Sequence, residues 1–145
     1  MRSAAGAQRF ELAARLRDAH DDLAGLSRFL QRLREVRGYM FVYPAHGIDG
    51  GRKWYLIRNG QAVAAQREPQ DSRTARTCLE RLDAVFAKGD LAPVRTAIED
   101  FDMVLLVAGW FRKNPGELEC ALPPEEASSM CRQTVRRLSR SSARD

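Results

Sequence analysis

The chain has 145 residues with a formal net charge of +5, and 44% of its residues are hydrophobic. This size and composition predict one globular domain, with or without an appendage. They argue against a membrane-spanning helix, because no apolar run approaches the roughly 18 residues that a span needs, and residues 1–6 lack the apolar stretch of a secretory signal. The three cysteines are far apart and match no disulfide framework or C-x-x-C metal site. We therefore expect reduced thiols and a cytoplasmic protein.

The first predicted element is a long amphipathic helix over residues 10–36. Leu16, Leu23 and Leu30 recur every seven positions, as in helices that pack along one side. Gly38 follows as a natural C-terminal cap. A helix of this kind needs a surface on which to pack, and that surface lies partly within the chain and partly outside it.

Within this helix, residues 10–18 read Phe-Glu-Leu-Ala-Ala-Arg-Leu-Arg-Asp. A carboxylate in the first turn suits the helix dipole, two alanines leave room for a neighbouring backbone, and an arginine offers a planar donor fork to a partner's carboxylate. The segment resembles the UVR motif, a short helical hairpin shared by excinuclease ABC subunits B and C of bacterial nucleotide excision repair. In that family the hairpin docks on other proteins, so the resemblance implies another UVR-containing or nuclease protein, excinuclease B-like, as partner. The docking residues that it implies are Phe10, Glu11, Ala13, Ala14, Leu16, Arg17 and Asp18.

A change of period after the helix predicts a small sheet. Residues 39–43 are aromatic and β-branched, and the runs 53–58 and 61–66 flank Asn59-Gly60. Asn-Gly between two such runs is the strongest short signal for a β-hairpin, because a type I′ turn needs positive φ at both central residues. We therefore expect a three-stranded antiparallel meander.

Three further helices are predicted after the sheet. Asp71 or Ser72 caps the first, which runs to about Lys88; the second covers residues 98–111; Pro123-Pro124 opens the third. The apolar positions of the second helix are Phe101, Val104, Leu105, Ala108 and Phe111. The fold class is therefore α+β: a long N-terminal amphipathic helix, a three-stranded antiparallel meander, then three helices.

A second, shorter resemblance lies in the runs Trp-Tyr-Leu-Ile-Arg-Asn-Gly at 54–60 and Gly-Trp-Phe-Arg-Lys-Asn-Pro-Gly at 109–116. Both are similar to the region that follows the UVR segment in some subunit-C-like excision-repair nucleases. Those relatives carry a GIY-YIG nuclease domain before that segment, whereas this chain has no Gly-Ile-Tyr…Tyr-Ile-Gly pattern. Nor does it show the aspartates and histidine of the RNase-H-like second nuclease domain. The resemblance thus implies the non-catalytic portion, and we expect no catalysis by this chain alone.

The C-terminal residues 132–145 are strongly basic, with no acidic residue before Asp145. Serines fill the gaps between the arginines, so we expect a disordered tail here, with order lost by Leu138 at the latest. A solubilising tail is one interpretation. A phosphate-contacting arm is the other, and its nucleic-acid-binding residues would be Arg132, Arg136, Arg137 and Arg140.

Three groups of side chains are candidate sites for catalysis or ligand binding. His20 lies on the apolar stripe, where an interface histidine is favoured over a catalytic base. His46 and Asp49 share a glycine-rich loop, for which a plain hairpin connection is favoured over phosphate binding. For the densest carboxylate group a solvated helix face is favoured over a metal site, and its members are Glu99, Asp100 and Asp102.

The strand aromatics also have two interpretations. On an exposed sheet face they would stack on the bases of single-stranded nucleic acid. Burial in the core is favoured, because the aromatics supply most of the apolar area of so small a sheet. The residues concerned are Tyr39, Phe41, Tyr43, Trp54 and Tyr55.

Taken together, the sequence predicts a UVR-like helical segment over 1–37, a small α+β domain over 38–131 and the basic, disordered tail over 132–145. The predicted function is that of an accessory or truncated excision-repair nuclease subunit, acting in DNA repair by protein–protein docking through its UVR-like helix. Two alternatives stay open: a nucleic-acid-binding module with DNA as partner, and a component of a GIY-YIG endonuclease whose catalytic domain is absent from this chain. No cofactor, metal or small-molecule ligand is expected.

Overall fold

The computed structural model describes residues 2–47, 50–87 and 98–141. The elements in chain order are α1 (Arg2–Arg37), β1 (Met40–His46), β2 (Arg52–Arg58), β3 (Gln61–Arg67), α2 (Ser72–Phe86), α3 (Ile98–Lys113), a 3-10 helix (Pro115–Cys120) and α4 (Pro124–Ser141). The predicted α+β order of long helix, meander and three helices is confirmed, with the 3-10 helix as an addition. By its contacts the chain divides into two compact units, Met1–Arg34 and Glu35–Asp145.

Helix α1 begins at Arg2 rather than at Phe10, because the alanine-rich run before Phe10 has high helix propensity. It ends where the sequence predicts: Gly38 N donates to Glu35 O at 2.9 Å. Between Arg2 and Arg37 the chain forms one continuous helix. The hairpin that the UVR resemblance implies is therefore not formed within these residues, and the docking residues stand on a single helix.

The sheet is a meander in the order β1-β2-β3, with both pairs antiparallel. The predicted Asn-Gly turn is confirmed, since Asn59 has φ +52° and Gly60 has φ +76°. Gly60 is required for a second reason. A Cβ atom on it would lie 2.6 Å from the carbonyl oxygen of Val36, at the end of α1.

One face of the sheet packs on α2 and α4. Val42 and Leu56 are directly paired across β1 and β2, and both are fully buried together with Trp54. The helices complete this core with Ala75, Cys78, Leu82, Ala127 and Cys131. The N-terminus of α2 is fixed by the predicted cap, in which Thr74 N donates to the Asp71 carboxylate at 2.7 Å.

The opposite face carries an aromatic cluster that packs on α3. Phe41 and Tyr43 alternate with Val42 along β1, and their rings lie 5.5 Å and 5.3 Å from that of Phe111. Phe41, Tyr43 and Trp54 are thus buried on the two faces of one sheet. The interpretation of the strand aromatics as core residues is confirmed for these three, and they offer no platform for base stacking.

Helix α3 starts at the predicted residue and ends two residues later than predicted. Its buried stripe is Val104, Val107 and Phe111, spaced three and four apart. Phe101, one of the apolar positions that the sequence marks on this helix, is 42% exposed. After α3, the 3-10 helix leads to Leu122, whose backbone pairs with Val42 through two 2.8 Å hydrogen bonds and covers the free edge of β1.

Helix α4 passes through the predicted tail boundary and continues to Ser141. The disorder predicted over residues 132–145 is therefore wrong for residues 132–141, and residues 142–145 lie outside the described chain. Val135 follows Cys131 by four positions and packs against the same core. Acidic Glu125 and Glu126 in the first turn, with arginines toward the end, also suit the helix dipole.

Candidate docking surface on the N-terminal helix

The predicted docking residues all lie on α1, and each of them is exposed. Phe10 is 80% exposed and Leu16 is 63% exposed. Large apolar side chains exposed at one end of a helix are typical of a surface that a partner covers. Within the first unit, the predicted docking residues are therefore not covered by other described residues.

Helix geometry separates these residues into two groups. Successive residues are about 100° apart around an α-helix, which places Phe10, Ala14 and Arg17 within about 60° of one another. Ala13 adjoins Arg17 on the same side. We call these four the alanine–arginine face. Leu16 lies about 160° from Ala14 but about 60° from Ala13, so it borders this face on its Ala13 side.

Glu11 and Asp18 border the alanine–arginine face on its Ala14 side, about 40–60° from that residue. Within the described part of the chain Arg17 and Asp18 make no ion pair, so their charges are available to a partner. Among the described residues of the first unit, His20 Nδ1 and Asp21 Oδ1 lie 3.4 Å apart, and both side chains are exposed.

The other side of α1 carries a leucine seam. Its members alternate spacings of four and three residues, the pattern of coiled-coil helices, and they are Leu12, Leu16, Ala19, Leu23, Leu26 and Leu30. Leu12 is 59% exposed, Leu23 67% and Leu26 52%. The seven-residue repeat of Leu16, Leu23 and Leu30 that the sequence predicts lies within this seam, and Leu16 also belongs to the predicted docking residues.

The predicted nucleic-acid-binding arginines lie on α4 instead of on a disordered arm. Arg132, Arg136 and Arg137 are exposed, whereas the side chain of Arg140 lies outside the described residues. Arg132 borders a groove of about 460 Å³ between α2 and α4 that also contains Asp83 and Glu125. Those carboxylates offset its positive charge, so Arg136 and Arg137 are the better placed for a phosphate.

The glycine-rich loop after β1 closes on itself. Gly47 N donates to Gly51 O at 2.7 Å, and Gly50 N donates to Gly47 O at 3.1 Å. These amide groups are used within the loop, which supports the plain hairpin connection over a phosphate cradle. His46 is exposed at the end of β1, and Asp49 lies outside the described residues.

The carboxylate group on α3 is only partly described. Asp102 is exposed, while the side chains of Glu99 and Asp100 lie outside the described residues. Over the ranges that the structure covers, no group of three or more His, Cys, Asp or Glu side chains is arranged to hold a metal ion.

Sequence reasoning missed one close pair of reactive groups. The three cysteines are far apart in the sequence and were expected to be reduced thiols without a disulfide framework. In the structure Cys78 Sγ and Cys131 Sγ lie 3.2 Å apart, although 53 positions separate them in sequence. No sequence signal specified that α2 packs on α4, so the meeting of these two thiols could not be predicted.

Comparison with known proteins gives no match: no family model, no curated protein and no solved structure is similar to this chain at a significant level. Among the helices of the described residues, none has the length and apolar content that crossing a membrane requires.

Proposed function

We propose that this protein is an accessory or truncated excision-repair nuclease subunit that acts in DNA repair by association rather than by chemistry. Its partner is a UVR-containing or nuclease protein, excinuclease B-like, that docks on the alanine–arginine face of α1 in the cytoplasm. The resemblance of residues 10–18 to the UVR motif is the source of this proposal. The observation that carries it is the full exposure of this face, headed by Phe10 at 80%.

The chemistry of the face suits a helical partner. Ala13 and Ala14 let another backbone approach closely, Phe10 supplies an apolar anchor, and Arg17 offers a bidentate fork to a carboxylate. Aromatic and arginine side chains dominate the binding energy of many interfaces. The surface is small, so the affinity is expected to be modest, because a small interface has to offset the entropy cost of association.

The test is a binding titration with a purified excinuclease B-like protein that carries a UVR hairpin. Phe10→Ala combined with Arg17→Glu is expected to weaken binding by at least about tenfold, because it removes an aromatic anchor and reverses the charge of the fork. Circular dichroism at equal concentration checks that the helix persists.

A matched control lies on the same helix. Leu12→Ala combined with Leu23→Ala alters two exposed residues of the leucine seam and is expected to leave the affinity within about threefold. Unchanged binding by the Phe10/Arg17 variant, or loss of binding only in the seam variant, would show that the alanine–arginine face is not the docking site.

A second candidate function is nucleic-acid binding, favoured by the exposed arginines of α4. Arg136 follows Arg132 by one helical turn, and Arg137 lies about 100° around the helix. Such a group supports sequence-independent attraction to phosphates, whose strength falls with salt. Phe41, Tyr43 and Trp54 take no part in it, because they are buried and stacking on bases needs an exposed ring.

Substitution tests this candidate better than truncation, because removing residues 132–145 also removes Val135 from the core. We expect Arg132→Gln, Arg136→Gln and Arg137→Gln together to weaken duplex DNA binding at least about tenfold in low salt. The slope of log affinity against log salt should also become shallower by about two to three. An unchanged slope would exclude these arginines as phosphate contacts.

A further inference from the structure

Cys78 on α2 and Cys131 on α4 form a buried pair of thiols in the core of the second unit. Their sulfur atoms are 3.2 Å apart, and the side chains are 3% and 0% exposed. All three cysteines of the chain are free, and the third, Cys120, is exposed. Only the buried pair has a sulfur neighbour among the described residues, so it differs in kind from the exposed thiol.

The surroundings of the pair hold it in place. Gln66 Nε2, on β3, donates a hydrogen bond to Cys78 Sγ at 2.8 Å. Ala75 and Ala127, each 0% exposed, lie one turn before Cys78 and Cys131 on their helices. Small side chains at these positions let α2 and α4 approach closely, and that approach brings the sulfurs together.

We propose that Cys78 and Cys131 are a modification site: oxidation by a hydroperoxide joins them in an intramolecular disulfide that links α2 to α4. This inference does not depend on docking through α1. It rests on the distance between the two sulfurs and on their location on separate helices.

The two thiols divide the roles in this reaction. The hydrogen bond shared by the two thiols, followed by burial, raises the pKa of the Cys78 thiol, whereas the same shared hydrogen bond lowers the pKa of Cys131. Cys131 is thus the first to ionise, and the thiolate is the nucleophile in thiol chemistry. Cys78 keeps its proton and remains beside it as the resolving thiol.

Hydrogen peroxide oxidises the pair in two steps. The Cys131 thiolate attacks one oxygen of hydrogen peroxide, the O–O bond breaks, and a sulfenic acid and hydroxide form. The sulfur of Cys78 then attacks the sulfenic sulfur, the S–S bond forms, and the S–O bond breaks. The departing hydroxide and the Cys78 proton leave as water. Two thiols and one peroxide therefore give one disulfide and two waters.

A groove between α2 and α4 lies close to the pair, although neither cysteine lines it. The groove of about 460 Å³ between α2 and α4 is bordered by Leu82, one turn after Cys78, and by Ser128 and Arg132, which flank Cys131 in sequence. Hydrogen peroxide is little larger than water. Oxidation of the pair therefore requires only a small local opening between the two helices.

The test uses the full chain carrying Cys120→Ser, which removes the exposed thiol and leaves the core intact. After treatment with hydrogen peroxide, the expected results are an intact-mass loss of about 2 Da, for two hydrogens, and no alkylation under denaturing conditions. Dithiothreitol should restore both thiols. Closing a loop of this length is expected to raise the Tm by at least about 5 °C.

A matched variant, Cys120→Ser with Cys78→Ala, keeps one thiol of the pair. It should gain oxygen mass on the same treatment and show no rise in Tm. The proposal is overturned if the Cys120→Ser protein keeps two alkylatable thiols after oxidation, or if both thiols gain oxygen without becoming linked. The mass and alkylation measurements on the Cys120→Ser protein need no substitution in the core. They decide the question even if the Cys78→Ala variant folds poorly.

Discussion

Single residues decide where the sheet meets the end of α1. Gly60 has φ +76°, and an added Cβ would lie 2.6 Å from the backbone oxygen of Val36. We expect Gly60→Ala to destabilise the protein by at least about 2 kcal/mol, because it combines left-handed strain with a backbone clash. Gly50→Ala is the matched control, since Gly50 has φ +73° with nothing within 4 Å of the added atom. Urea unfolding of both variants measures the difference, and equal losses would show that the contact with Val36 is unimportant.

Tyr43 makes the stability of the folded protein depend on pH. Burial raises the pKa of Tyr43 above its ordinary value of 10.0, as does the hydrogen bond that its hydroxyl donates to Glu117 at 2.9 Å. Because the pKa is raised in the folded state, the contribution of protonated Tyr43 to the free energy of unfolding is fully present below pH 10.0. It is lost as the pH rises through the pKa of the folded state.

We therefore expect stability to fall as the pH rises above 10.0, and Tyr43→Phe to remove this part of the decline. At pH 7 the same variant should cost about 1 kcal/mol, because it loses one hydrogen bond to a carboxylate. Chemical unfolding as a function of pH measures both effects. A variant with the wild-type alkaline profile would show that Tyr43 is not the group responsible.

At the scale of elements, α1 differs from the helices of the second unit. Helices α2 and α4 each bury one stripe in the core, whereas α1 exposes two opposite faces along its N-terminal half. Most helical stability in proteins comes from packing rather than from propensity. We therefore expect the backbone amides of α1 to exchange more slowly with solvent when a partner covers one of these faces.

Local signals were the ones that sequence reasoning read correctly. The Asn59-Gly60 turn and the Asp71 cap depend on neighbouring residues alone, and both occur as predicted. The helicity of residues 132–141 was missed because the basic composition was weighed above the packing of Val135 on the core. The start of α1 was missed because the alanine-rich run before Phe10 was not included in the helix.

At the scale of the whole molecule, the features that were missed are non-local. The partners Cys78 and Cys131 are 53 positions apart, and Leu122 covers the edge of β1 from the far side of α3. Which helix packs on which sheet face is decided by the fit of whole surfaces. The sequence contained no signal for assigning α2 and α4 to one sheet face and α3 to the other.

The docking face is tested most directly by hydrogen–deuterium exchange along α1, with and without a UVR-containing excinuclease B-like partner. Backbone amides of residues 9–18 are expected to exchange fast in the free protein and to slow at least about tenfold in the complex. The Phe10→Ala/Arg17→Glu variant should lose this protection under the same conditions. Binding of the partner without slower exchange at residues 9–18, or protection confined to the second unit, would contradict docking through this helix.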